Sequence, residues 1–233
     1  MPFQYISSVL FRDSSLFNLL GFIVKQIRTI DYIESMINIK RFELGDYFTN
    51  TYVVSKSNYA ILIDAGDKPY EVINYIRDKG LELKAILATH GHFDHLMGVP
   101  EIKKVFNVPL YLHIADEELV KRDHRTREVQ IDYYLKEGDL IFGDIRVKVI
   151  ETPGHTKGSV CFLIENSLFT GDTLFNENIG RYDLGGDKEL LKKSLKRLIE
   201  LDDLLDVYPG HGFITTLGYE KLHNPFLNGE INW

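Results

Sequence analysis

A run suited to a buried strand, Leu83 to Ala88 (LKAILA), leads directly into Thr89-His90-Gly91-His92-Phe93-Asp94-His95. This junction restricts the fold more than any other stretch. Four side chains able to bind metal, His90, His92, Asp94 and His95, fall within six residues. Imidazole suits zinc and iron, and the carboxylate adds charge for a second cation. Gly91 has no β-carbon, so the loop can turn tightly around an ion. Buried together without a cation, these groups would leave donors and acceptors unpaired at about 1–3 kcal/mol each. The chain therefore needs a fold in which a strand ends at an edge and alternate side chains enter one cavity.

Three later segments repeat the same grammar, a strand end followed by a glycine-flanked polar residue. They are Thr152-Pro153-Gly154-His155-Thr156-Lys157-Gly158-Ser159, Phe169-Thr170-Gly171-Asp172-Thr173 and Tyr208-Pro209-Gly210-His211-Gly212. Alone, each reads as a turn histidine or a helix-capping aspartate. Following H-x-H-x-D-H in this order, they read as one set, because strand ends on one side of an open α/β sheet form its ligand crevice. The intervening pattern supports that architecture. Strands are expected at 37–44, 51–55, 59–64, 108–112, 145–150, 160–164, 167–170 and 207–208. Helices are expected at 70–79, opened by Pro69 and ended by Gly80, at 115–121, and at 187–201. Mixed strands with amphipathic helices on the outer faces imply a layered α/β sandwich.

Composition narrows the functional classes. Cys161 is the only cysteine, so no disulfide can form within the chain, and a reducing, cytoplasmic setting is expected. It lies mid-strand and reads as a small buried hydrophobe rather than a nucleophile. The net charge of −7 disfavours broad nucleic-acid binding. Leu16 to Val24 (LFNLLGFIV) is too short to span a bilayer, so no membrane partner is expected. Residues 1–35 read as an N-terminal appendage, and residues 36–233 as a single domain without linkers.

With these motifs in place, the sequence resembles the metallo-β-lactamase superfamily, and within it the short relatives of glyoxalase II (hydroxyacylglutathione hydrolase). The similarity runs from about Met36 to Phe226. It includes H-x-H-x-D-H, T-P-G-H-T-x-G-S, G-D-T-L-F at 171–175, the G-R-Y-D-L-G-G-D stretch at Gly180 to Asp187, and P-G-H-G at 209–212. The resemblance implies a four-layer αββα sandwich with its site at one edge. It implies two divalent metal ions, zinc first, with iron or manganese admitted by the nitrogen and oxygen donors. One ion would be bound by His90, His92 and His155, and the other by Asp94, His95 and His211. Asp172 would bridge them. Asp94 and Asp172 thereby take part in catalysis, in which a hydroxide shared by the metals attacks a carbonyl. Asp64, at the end of Ile61-Leu62-Ile63, and Thr89 are expected behind the ligands, hydrogen-bonded to them. A turn-forming role for Asp64 is the competing reading.

The expected substrate is a small acyl thioester or ester. With about twenty residues following His211, the chain is expected to resemble the short, single-domain members that do without the C-terminal helical region of glyoxalase II. Arg181 and Tyr182 are the expected substrate contacts, although Arg181 is equally suited to a surface salt bridge with Asp183 or Asp187. Two other readings stand beside the thioesterase. One is an oxidoreductase resembling persulfide dioxygenases with a single iron; the other is a lactonase. His113, His124 and His223 match no ligand turn and read as structural or surface residues.

Overall fold

The structure, a computed structural model, describes residues 36–231, Trp233 and, within the N-terminal stretch, Phe22. The expected appendage at 1–35 otherwise lies outside the described residues. No described helix is long and apolar enough to cross a membrane.

Two six-stranded sheets carry the fold. The first contains β1 (Asn38–Leu44), β2 (Thr49–Lys56), β3 (Tyr59–Ile63), β4 (Glu82–Leu87), β5 (Leu110–His113) and β6 (Tyr133–Leu135) in that order. Its first three strands are antiparallel and the rest parallel. The second contains β7 (Gly138–Phe142), β8 (Ile145–Glu151), β9 (Val160–Ile164), β10 (Ser167–Gly171), β13 (Asp206–Pro209) and β14 (Thr215–Thr216). A two-stranded ribbon, β11 (Leu174–Phe175) and β12 (Asn178–Ile179), follows β10. The helices are α1 (Tyr70–Asp78), α2 (Val99–Phe106), α3 (Glu117–Arg122), α4 (Lys188–Leu198) and α5 (Leu217–His223).

Side-chain alternation explains the layering. Successive strand residues point to opposite faces. In the first sheet Tyr52, Ile61, Ile63, Ala85 and Leu87 face inward and join Val147, Val149, Val160, Phe162 and Phe169 of the second sheet. Their neighbours Val53, Ala60, Leu62 and Ile86 turn outward and pack with Val72 and Ile76 of α1 and Val99 and Ile102 of α2. Across the second sheet, Cys161, Leu168 and Val207 meet Leu191, Leu195 and Leu198 of α4 and Leu217 of α5. Three apolar interfaces thus separate four layers, helix, sheet, sheet and helix, as the αββα expectation required. Each fully buried Leu, Ile, Val or Phe in them contributes about 1.5–3 kcal/mol.

The departures from sequence expectation are local. The helix expected at 187–201 is the shorter α4, capped by Asp187, whose carboxylate accepts from Leu190 N at 2.9 Å. Its last turn tightens: Glu200 N donates to Arg197 O, and Leu201 N to Leu198 O. The helix α2 has no counterpart in the sequence reading. Pro100 lies in its first turn, and Asn107 ends it with a left-handed φ of 52°.

Cys161 is fully buried, and burial pushes its thiol up to about 11. The folded protein is therefore expected to leave Cys161 unreactive towards Ellman's reagent at neutral pH, with one thiol released on unfolding in guanidinium. Stoichiometric labelling of the native protein would contradict this.

Candidate metal centre

Strand direction assembles the site. β8 runs antiparallel to β9, and β9 to β10, while β10 is parallel to β13. β8, β10 and β13 therefore share one direction, and their C-terminal ends deliver His155, Asp172 and His211 to one edge. The other sheet contributes β4, whose end leads to His90, His92 and a 3-10 turn at Phe93–His95. The sheets are tied together at this edge. Val160 N donates to Thr89 O at 2.8 Å, and Asn50 N to Gly210 O at 2.7 Å. The Asn50 amide also donates to Pro209 O and Gly212 O, and the Tyr52 hydroxyl to Pro209 O at 2.7 Å.

The seven expected donors converge into two groups. His90 Nε2, His92 Nδ1 and His155 Nε2 lie within 2.8–3.3 Å of one another. Asp94 Oδ2 lies 3.2 Å from His211 Nε2 and 3.5 Å from His95 Nε2, and the two imidazole nitrogens are 3.3 Å apart. Asp172 stands between the groups. One carboxylate oxygen is 3.4 Å from His95 Nε2, and the other is 3.5 Å from His155 Nε2 and 3.7 Å from His211 Nε2. Two close approaches require glycine. A β-carbon on Gly210 would lie 2.3 Å from Asp172 Oδ1, and one on Gly171, whose φ is +48°, 2.4 Å from Thr89 Oγ1.

Proton placement shows what this cluster fits. Asp64, itself held at φ +55°, accepts Thr89 N at 2.7 Å on one oxygen. Its other oxygen accepts the Thr89 hydroxyl and His95 Nδ1, each at 2.8 Å. His95 thus carries its proton on Nδ1 and turns a lone pair at Nε2 inward. The Thr89 hydroxyl proton is spent on Asp64, so Thr89 Oγ1 accepts from His90 Nδ1 at 3.1 Å. His155 Nδ1 donates to Arg181 O at 2.7 Å. Three Nε2 lone pairs therefore face inward, where the buried Asp172 Oδ1 also lacks a hydrogen-bond partner. Acceptors crowded on acceptors fit a cation, and these three histidines each have the outer hydrogen bond typical of a metal ligand.

The electrostatics agree for the carboxylates, His90 and His92, while His95 and His211 would release a proton to an incoming ion. Burial, reinforced by His95 and His155, lowers His90 well below the ordinary imidazole value. Burial and His155 bring His92 to about 4. For His95 burial is outweighed by Asp64, Asp172 and Asp94, which raise it well above normal. His211 is also raised, with Asp94 and Asp172 overcoming burial. Burial favours the acid form of Asp172, but His95, His155 and His211 hold it at about 2. Asp94 is held well below the usual carboxylate range, against burial, by His95 and His211, with Thr49 donating to it at 3.1 Å. Ionised carboxylates and neutral His90 and His92 are the protonation states that metal binding needs.

Several contributors escaped the sequence reading. Asp116 is buried and accepts from Gly91 N at 2.8 Å, Gly158 N at 2.7 Å and the Thr156 hydroxyl at 2.6 Å. It pins the His90–His92 loop to the His155 turn. Thr49, Asn50 and Tyr52 likewise act from β2 on the far ligands. Arg181 directs its guanidinium to Asp183, at 3.0 and 2.8 Å, on the surface. Tyr182 stacks against Trp233 with ring centroids 6.1 Å apart. Neither side chain lines the cleft beside His92 and His155. His113 approaches Glu151 at 3.4 Å, His124 is exposed, and His223 packs on Tyr219.

Two donor groups sharing a carboxylate, at the edge of an αββα sandwich, define a class of proteins that hold divalent cations between two sheets. The family model described as the metallo-beta-lactamase superfamily matches residues 44–211, and the chain belongs to that superfamily of metal-dependent hydrolases. It is 33% identical over 205 residues to the probable metallo-hydrolase YqgX of Bacillus subtilis, covering 82% of this chain and 97% of that protein. It is 35% identical over 187 residues to the hydroxyacylglutathione hydrolase GloC of Haemophilus influenzae, covering 73% and 88%. Among solved structures it is similar to the B3 metallo-beta-lactamase BLEG-1, with a TM-score of 0.77 and 36% identity over 83% of this chain and 100% of that one. It is also similar to TTHA1623 in a di-iron-bound form, with a TM-score of 0.74 and 38% identity over 81% and 100%.

Asp64→Asn provides a direct check. An amide at 64 can still accept from Thr89 N but turns an N–H towards His95 Nδ1, opposing that proton. Metal affinity, measured by chelator competition, is expected to fall about 10–100-fold while the circular dichroism spectrum is retained. Unchanged affinity would show that Asp64 does not set the ligand protons.

Proposed function

We propose that this chain is a binuclear metal-dependent hydrolase that cleaves a small acyl thioester, in the manner of glyoxalase II-like enzymes. The observation that carries the reading is the pair of donor groups sharing Asp172. His90, His92 and His155 would hold one ion, and Asp94, His95 and His211 the other, with Asp172 offering an oxygen to each. Nitrogen and oxygen donors suit zinc, and also iron or manganese. When bound, two such cations acidify water for attack near neutral pH and polarise an acyl carbonyl.

The chain's own residues prepare that chemistry. Asp64 and Thr89 keep the His95 and His90 lone pairs aimed inward, and Thr49 orients Asp94. Asp116 holds the two histidine loops in register. Cys161 is fully buried in the apolar layer against α4 and supplies no nucleophile. The thioester preference is supported by the similarity to GloC, and binuclearity by the di-iron form of TTHA1623.

Elemental analysis with a substrate panel tests the proposal. Two metal ions per chain and turnover of S-lactoylglutathione are expected. Asp172→Ala and His211→Ala should each lower turnover by about 100-fold or more, because each removes part of the paired-ion electrostatics. One iron per chain, with oxygen consumed on a persulfide, would replace the reading with a dioxygenase. Turnover of lactones but not thioesters would move it to a lactonase.

A further inference from the structure

A cleft of about 380 Å³ opens directly beside the first donor group, with His92 and His155 among its lining residues. That volume lies in the range of pockets for small ligands. Two cations and two carboxylates stand on its lining, and one of the carboxylates, Asp116, is buried. Lys157, from the His155 turn, and Arg122, the last residue of α3, stand on the lining, opposed by Glu118. Lys157 and Arg122 are exposed, and neither forms an ion pair among the described residues. Asp116, also on the lining, is buried and already accepts from Gly91, Gly158 and Thr156.

The geometry points to Lys157 and Arg122 as a binding subsite for an anionic group on the thiol portion of the substrate. The inference rests on the thioesterase reading and names the substrate class within it: thioesters whose leaving thiol carries a carboxylate or phosphate. A ligand with its sulfur at His92 and His155 and its body in the cleft would bring such a group to the two cations. Arg181, held by Asp183 on the surface, leaves this role to them. Exposed charge pairs are modest in strength and screened by salt, so the subsite should tune binding rather than turnover.

Two measurements on the metal-loaded protein and its Lys157→Gln, Arg122→Gln and doubly substituted variants test this. The first is calorimetric binding of three free thiols: glutathione, with carboxylates; coenzyme A, with phosphates; and uncharged N-acetylcysteamine. Each single substitution is expected to weaken binding of the anionic thiol about 2–5-fold, and the double about tenfold, at low salt. N-acetylcysteamine should be unaffected. Whichever of glutathione and coenzyme A shows the loss identifies the anion. The second is turnover of the matching acyl thioesters, where KM should rise and kcat stay within about twofold. Equal effects on charged and neutral thiols, or no effect on either, would overturn the subsite. Hydrolysis of none of the thioesters would sink the thioesterase reading, while the binding data would still decide the subsite.

Discussion

Asp64 binds Thr89 through both the backbone amide and the hydroxyl, and His95 through Nδ1, so one buried carboxylate settles where three protons lie. The consequence spreads outward. With its own proton turned to Asp64, the Thr89 oxygen must accept from His90, and the lone pairs of two histidines on one loop then point the same way. Without that arrangement the same imidazoles could satisfy one another by hydrogen bonding and would have no need of a cation. The positive φ of Asp64 belongs to the same device, since this strained turn places the carboxylate beneath both ligands.

The second constraint is the edge-to-edge contact of the sheets. Each sheet supplies part of the donor set, so the site exists only where β2 grips the turn after β13 and Thr89 bonds to β9. Those links are polar and buried, and each has a backbone carbonyl as its acceptor. The two sides of the site differ in character. Cations face the cleft near His155, whereas exposed Phe48 and Phe213 flank the bridged pair Thr49 and His211.

The donor positions were legible because each follows a strand end and most sit beside a glycine, a pattern local enough to read along the chain. The layered fold followed from strand alternation and from helices such as α4 with a single apolar stripe. Asp116, Asn50 and Tyr52 were not legible: their partners lie from 25 to 162 residues away, and nothing in their immediate neighbours marks them. The elements β6, β7, β11, β12, β14, α2 and α5 have no counterpart in the sequence reading for a related reason, since segments of two to eight residues hardly establish a period. Motif position points to Arg181 as a substrate contact, but its guanidinium pairs with Asp183 two residues on, one of the two salt bridges the sequence offers.

The bridge between Thr49 and His211 joins the opening of the domain to nearly its end, and 116 residues separate His95 from the histidine it faces. During synthesis the ribosome must therefore release the chain as far as His211 before the last ligand can reach its place. The full donor set is therefore assembled late, once the residues around His211 have joined those around Thr49 and His95. Until then the His90–His95 loop holds only part of each donor group.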